Sequence, residues 1–344
     1  MKSNINDNWL GTCRGIAVCG VILTHFVPYI EKYYHINSSV ADALTVGIID
    51  TGKVGVAILF LIAGYLAPSS KRKRNVKRFV INRFFRLYPL YWLDIILVGG
   101  IFAFDKYGMD TIFANVTMFQ VFLGREDLVG LFWTLPIELL LYAGAVFLER
   151  WMWEEKKLIS VLTVSAVGTV GIGVVRKTIW DTAPVAIGLL LSIALLGQVF
   201  RLYKENSLRK HNVKIGIAIF EICLIITCVL AYQVDMGHQE KWYRYFLSYS
   251  LAILIFVVFM STSKSIKVFT KIAAISYPLY LLQEIVFRTV FELIWKPIYQ
   301  PVLFLLLALI LLVLCSIVAH YLIEKPMIRL GNAVETSMKE RMSI

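Results

Sequence analysis

Between Pro301 and Ile323 the chain reads PVLFLLLALILLVLCSIVAHYLI, without one Asp, Glu, Lys or Arg. A bilayer's hydrocarbon core is about 30 Å thick, and a helix rising 1.5 Å per residue crosses it in about 20 residues. Lipid offers no partner to backbone N–H and C=O groups, so such a segment has to bond to itself, as a helix does. Similar runs recur along the sequence. Of its 344 residues, 58% are hydrophobic and 17% charged, whereas soluble domains hold about 45–50% and about a quarter. These features predict an all-α fold, a polytopic membrane bundle of about ten transmembrane helices. The spans are placed at about 12–30, 48–66, 88–104, 132–148, 158–175, 183–200, 215–231, 245–261, 272–290 and 301–323. Residues 109–130 are apolar but short and interrupted, and are expected as an interfacial or re-entrant segment on the outer side. Residues 1–344 are expected to form a single integral membrane domain with no soluble domain.

The net charge is +12. In a membrane protein the positive-inside rule accounts for such an excess, so no nucleic-acid partner is expected. Eight of the 35 Lys and Arg lie between Lys71 and Arg86, which marks that loop as cytoplasmic. An even number of spans then leaves both termini cytoplasmic, in a multi-pass protein of the cell membrane. Anionic headgroups or an anionic substrate at that face would also match the charge. The five cysteines, Cys13, Cys19, Cys223, Cys228 and Cys315, sit in apolar runs without metal-ligand spacing. They read as small buried hydrophobes rather than disulfides or a metal site. No cleavable leader is expected, because the first apolar run lacks a small-residue cleavage site. The tail from Lys325 is expected to be a helical cytoplasmic end.

Ionisable groups inside a bilayer cost about 2.5–3.5 kcal/mol each on insertion scales, and they persist where they pair or face a cavity. Arg14 opens the first span, and His25 follows eleven residues later. That is about 16 Å and three turns, so both project from nearly one face. Arg83 and Arg86 lie one turn apart at the start of the third span. They suit either interfacial anchoring or a phosphate clamp, since guanidinium donors match phosphate oxygens. Pro89 can break that helix and free backbone groups to line a cavity. Glu138 stands in an apolar helix behind Trp133 and Thr134 and one turn before Tyr142; a carboxylate there needs a cation or a donor. Ser276, Tyr277, Tyr280, Gln283 and Glu284 share the ninth span, where they bond across helices or line a cavity.

Taken in order, these elements resemble the membrane-bound acyltransferase-3 family over nearly the whole chain. The first-helix arginine and histidine correspond to Arg14 and His25. The F-x-x-S-G-[FY]-L element corresponds to Phe60–Leu66, with Ala63 in place of serine. The R-x-x-R-x-x-P-x-[YW] element corresponds to Arg83, Arg86, Pro89 and Tyr91. The W-[ST]-L-x-x-E-x-x-[FL]-Y element corresponds to Trp133, Thr134, Leu135, Glu138 and Tyr142, and the terminal E-K-P to Glu324–Pro326. Where many members carry Y-L-x-H in the ninth helix, this chain has Gln283. An amide replaces the hydrogen bond of a histidine but not its proton transfer.

The resemblance implies an enzyme that moves an acyl group, most often acetyl from acetyl-CoA, to a hydroxyl of a surface or lipid-linked carbohydrate. Lys73, Arg74, Arg83, Arg86 and Arg14 are then expected at the phosphates and entrance of the acyl-CoA donor. His25 is expected as general base, or as a covalent acyl carrier, with Arg14 and Glu138 in the catalytic set and Glu138 orienting the imidazole. Trp133, Tyr142, Tyr280 and Gln283 are expected to face the carbohydrate acceptor. No metal is expected. A transporter or flippase for a glycoconjugate is the competing class, because polar residues along a tunnel serve it as well.

Overall fold

The computed structural model describes residues 8–34, 47–67, 76–102, 106–147, 155–233, 241–294 and 301–342. Helices dominate, and among these residues there is no strand. In chain order they are α1 Asn8–Tyr34, α2 Thr51–Tyr65, α3 Val76–Phe102, α4 Met109–Val116, α5 Thr134–Phe147, α6 Glu155–Thr178, α7 Val185–Lys204, α8 Lys210–Ala231, α9 Trp242–Thr262, α10 Lys267–Ala274, α11 Ser276–Arg288, α12 Pro301–Ala319 and α13 Lys325–Met342. A π-helical turn, Thr289–Ile294, extends α11, and another, His320–Glu324, joins α12 to α13. Seven of the described helical stretches are long and apolar enough to cross a membrane, and the chain is a multi-pass membrane protein. The other three expected spans fall on shorter helices: α2 of 15 residues, α5 of 14 and α11 of 13.

The contacts group the chain into two compact units. The first comprises Met1–Val27, Asn37–Lys71 and Ile137–Ala274, and the second Pro28–Ile36, Arg72–Pro136 and Ile275–Ile344. In the first unit α2 packs against α7 and α9, while α6, α7 and α8 pack against one another. Lipid exerts no hydrophobic drive between helices, so close contact depends on small residues. At Gly64 on α2, an added Cβ would collide with the Ala194 carbonyl oxygen of α7. Reciprocally, a Cβ on Gly197 of α7 would collide with the Leu61 carbonyl of α2. The two backbones therefore touch directly. Beside them, Trp9 and Tyr65 each meet the Phe256 ring edge-on, with centroids 5.2 and 5.8 Å away, and Phe200 stacks on Phe256 at 5.7 Å.

Two expectations about helix ends change in the structure. Pro89 does not interrupt its helix, since α3 runs through it from Val76 to Phe102. One missing N–H is tolerated there, where Tyr277 also ties the same turn by donating its hydroxyl to the Leu87 carbonyl at 2.7 Å. The ninth span does not begin at 272. The chain breaks at Ile275 between α10, which buries none of its residues, and α11. Pro278 lies in the first turn of α11, where its missing N–H would be unpaired anyway. The expected helical tail is present as α13. The five cysteines are free thiols.

In the second unit, α4 is held by aromatic residues of α3. Tyr91, Trp92 and Tyr88 donate to the carbonyls of Asn115, Val116 and Thr117 at 2.7, 2.9 and 3.0 Å. Those carbonyls end α4 and have no intrahelical partner. Fully buried Asn115 secures the segment that follows. Its amide donates to Thr111 and Glu126 carbonyls, and its Oδ1 accepts the Leu128 amide at 3.1 Å. Burial pushes the nearby Asp127 carboxyl up to about 6, against the opposing pull of the Gln120 amide, which donates to it at 2.8 Å.

Two outcomes follow. Gly64→Ala should destabilise the protein by about 3 kcal/mol through backbone overpacking, whereas Gly171→Ala, with open space at its Cβ, should be neutral or gain about 0.5–1 kcal/mol. Melting of the two variants in one detergent compares them. For Asp127 the folded form holds its proton more tightly than an ordinary carboxyl. Its contribution to stability is therefore full below about pH 4 and is lost as pH rises through about 6. The melting temperature of the parent should fall relative to Asp127→Asn over that interval.

Candidate active site

His25 and Arg14 both lie on α1, in the first unit, and both are partly buried. Their separation within one continuous helix agrees with the sequence. Thr24, next to His25, meets Thr51, which follows Asp50, a residue the sequence reading did not single out. Asp50 is the N-cap of α2, and its Oδ1 accepts the Lys53 amide at 3.0 Å. Its Oδ2 receives Lys53 Nζ at 2.5 Å and Arg244 Nη2 at 3.5 Å. Its backbone amide donates to the Ser248 hydroxyl of α9 at 2.9 Å. One carboxylate thus starts a helix, pairs two cations and, through Arg244, ties α2 to α9. The hydroxyls of Thr24 and Thr51 bond at 2.8 Å, and a Cβ on Gly52 would press on Thr24. These contacts fix α1 against α2 at the level of His25.

Glu138 is also in the first unit, where its Oε1 accepts the Tyr142 hydroxyl from one turn further along α5. That is the i, i+4 contact the sequence spacing permits. Ser250 of α9 donates to Glu221 of α8 at 2.7 Å, a further polar pair that sequence inspection passed over.

The remaining expected site residues lie in the second unit or outside the described residues. Lys73 and Arg74 fall outside. Arg83 and Arg86 stand one turn apart on α3, partly buried, with the Arg83 guanidinium 5.3 Å from the Phe79 ring centroid. Trp133, partly buried, immediately precedes α5. Next to it, the Thr134 hydroxyl bonds to the Tyr280 hydroxyl at 2.6 Å, and Tyr280 also donates to the Leu131 carbonyl at 2.9 Å. Gln283 is fully buried. Its amide nitrogen donates to the Tyr280 carbonyl at 2.8 Å, and its Oε1 has no hydrogen-bond partner among the described residues. Tyr280, Gln283 and Thr134, the residue next to Trp133, are therefore one polar cluster.

Two features of the second unit were not anticipated. Asp94 of α3 is fully buried, and neither carboxylate oxygen has a hydrogen-bond partner among the described residues. In the same unit Glu284 accepts the Tyr29 hydroxyl at 3.2 Å. There is also a groove of about 450 Å³ between α3, α11 and α12, lined by Leu97, Ile285, Leu311, Cys315 and Ala319 among others. The hydroxyl of Thr289 in its wall is turned back to the Ile285 carbonyl. This groove offers a sugar or a phosphate nothing to bind. Among the described residues no three His, Cys, Asp or Glu side chains converge as metal ligands.

The sequence profile of the acyltransferase-3 family, described as an acyltransferase domain, matches residues 7–321. The chain belongs to the acyltransferase-3 family. No curated protein and no solved structure matches it. The match takes in α1 with Arg14 and His25, Asp50 with its two cations, and the Tyr280 cluster. In this acyltransferase, Asp50→Ala should lower stability by about 3 kcal/mol or more, because it leaves Lys53 and Arg244 buried without their shared anion. Adding Lys53→Met to that variant should recover part of the loss in a melting experiment.

Proposed function

We propose that the acyltransferase moves an acetyl group from acetyl-CoA to a hydroxyl of a surface or lipid-linked carbohydrate, with His25 as the general base. The observation that carries this reading is a partly buried imidazole on α1, next to the Thr24–Thr51 contact that packs α1 against the start of α2, in a chain whose family is defined by acyl transfer. His25 accepts the hydroxyl proton as the hydroxyl oxygen bonds to the thioester carbonyl carbon. The carbon–sulfur bond breaks, and the imidazolium returns the proton to the departing thiolate. The same imidazole also suits a two-step route in which it carries the acyl group itself. Asp50 stabilises the charged imidazole. Glu138, fixed by Tyr142, is the second carboxylate proposed to act toward it.

Arg14, Arg83, Arg86, Lys73 and Arg74 are proposed to receive the donor's phosphates, by the match of guanidinium and ammonium donors to phosphate oxygens. Trp133, Tyr142, Tyr280 and Gln283 are proposed to face the carbohydrate. The unused Oε1 of buried Gln283 supports this, because it can accept from a sugar hydroxyl. Ten spans, with both termini cytoplasmic in the cell membrane, complete the proposal, on the placement of Lys and Arg.

The test follows labelled acetyl from acetyl-CoA to surface carbohydrate in membranes that hold equal amounts of parent and His25→Ala. The parent should transfer label, and the variant should lose about a hundredfold or more. Equal transfer by both would remove His25 from the mechanism, and no product from any acyl donor would return the chain to the transporter class.

A further inference from the structure

α9 is 21 residues long and apolar enough to cross a membrane. At 1.5 Å per residue it covers about 30 Å, the thickness of the hydrocarbon core. The chain that follows it, from Ser263 through α10, therefore meets the headgroup layer. Hydrogen bonds and close backbone contacts fix this corner. Ser263 turns the chain with a φ of 52°, and its amide donates to the Phe259 carbonyl at 2.8 Å. Lys204, the last residue of α7, donates to the Met260 carbonyl at 3.0 Å and to the Ser263 hydroxyl at 3.3 Å. The Ile266 amide donates to the Thr12 hydroxyl of α1 at 2.9 Å. A Cβ on Gly15 would collide with the Phe269 carbonyl, and one on Gly11 would press on Thr270. α10 thus rests on the first turns of α1 at Phe269 and Thr270.

The rest of α10 is uncovered, and the helix buries none of its residues. At 3.6 residues per turn, Lys267 and Lys271 share one stripe, and Val268 and Ile272 form the stripe beside it. Both lysines are exposed, as are Lys264 and Ile266 just before the helix, and Val268 is 65% exposed. Among the described residues no ion pair holds any of these three lysines. The surrounding sequence offers no anion either, since it contains no Asp or Glu from Lys241 to Gln283. A soluble anion would pair with the ammonium groups but leave Val268 and Ile272 in water. A layer of anionic lipid covers both stripes, with its charge at the lysines and its chains at the apolar side chains.

We propose that α10, with Lys264 before it, docks on anionic phospholipid: Lys264, Lys267 and Lys271 meet the headgroups, and Val268 and Ile272 meet the upper acyl chains. Held in this way, α10 anchors the end of α1 on which Arg14 stands between Thr12 and Gly15. The lipid contact does not depend on the acyl-transfer reading.

The test places the full chain in phosphatidylcholine nanodiscs that carry a trace of photoreactive lipid. The probe is either phosphatidylglycerol or phosphatidylcholine, each with the same reactive group near its headgroup. Mass spectrometry of the digested protein then reads the labelling of residues 264–272. In the parent, the anionic probe should label this segment about tenfold or more above the neutral one, since each lysine near a charged surface contributes about fivefold. Unlabelled phosphatidylglycerol should compete, and free coenzyme A should not. Changing Lys264→Gln, Lys267→Gln and Lys271→Gln together should abolish the preference at an unchanged melting temperature, and the three corresponding changes to Arg should keep it. Equal labelling of the parent by both probes overturns the inference, and this comparison needs no variant to fold. A preference that survives the three changes to Gln also overturns it. Displacement of the anionic probe by coenzyme A would do the same, by assigning the lysines to a soluble phosphate.

Discussion

The carboxylate of Asp50 is the point on which the histidine's surroundings depend. It satisfies an amide at the start of α2 and holds Lys53 and Arg244. Its backbone amide reaches Ser248 on α9. Each of these contacts alone is an ordinary structural bond. Together they make the helix start and the packing of α2 against α9, one residue from the Thr24–Thr51 contact next to His25, consequences of one residue. A charge of this kind is stable in a bundle because its partners surround it.

That fixing depends in turn on backbone contact. α2 touches α7 through Gly64 and Gly197, and approaches α1 through Gly52 and the Thr24–Thr51 hydroxyl pair. Lipid-soluble helices have little other means of choosing a register. The second-helix element that carries Ala63 where its relatives carry serine keeps Gly64, the residue whose missing side chain lets α2 and α7 meet. The departure at Ala63 therefore leaves the packing of that element intact and concerns only what the position presents beside it.

Helices were legible in the sequence because hydrophobic length is a local property. The runs that became α1, α6, α7, α8 and α9 are each apolar over a bilayer's thickness, and the expected ends lie within a few residues of those observed. The motif residues were legible too, since Arg14, His25, Glu138 and Tyr142 fall at helical spacings. Asp50 was not. From sequence it is a polar residue at a helix start, with nothing to link it to Arg244 in KWYRYF. Their meeting joins positions nearly two hundred residues apart, and no periodicity encodes that. Asp94 escaped notice for the opposite reason: it lies inside an apolar run whose length already explained the helix. Pro89 leaves its helix continuous because a bundle can satisfy backbone groups that an isolated helix would leave open.

The π-helical turn His320–Glu324 has an effect beyond its own residues. There the Lys325 amide bonds to the His320 carbonyl, and His320 Nδ1 lies 2.7 Å from Glu324 Oε2. A π turn holds one residue more than an α turn, so everything after it is offset by about 100° around the helix axis. α12 and α13 are thus consecutive helices out of phase with one another. The offset brings Gly331 of α13 to the Phe85 side chain of α3. Apolar positions counted straight through from Pro301 would assign α13 the wrong inward side. The angular setting of the last helix is decided by a single supernumerary residue just before Pro326.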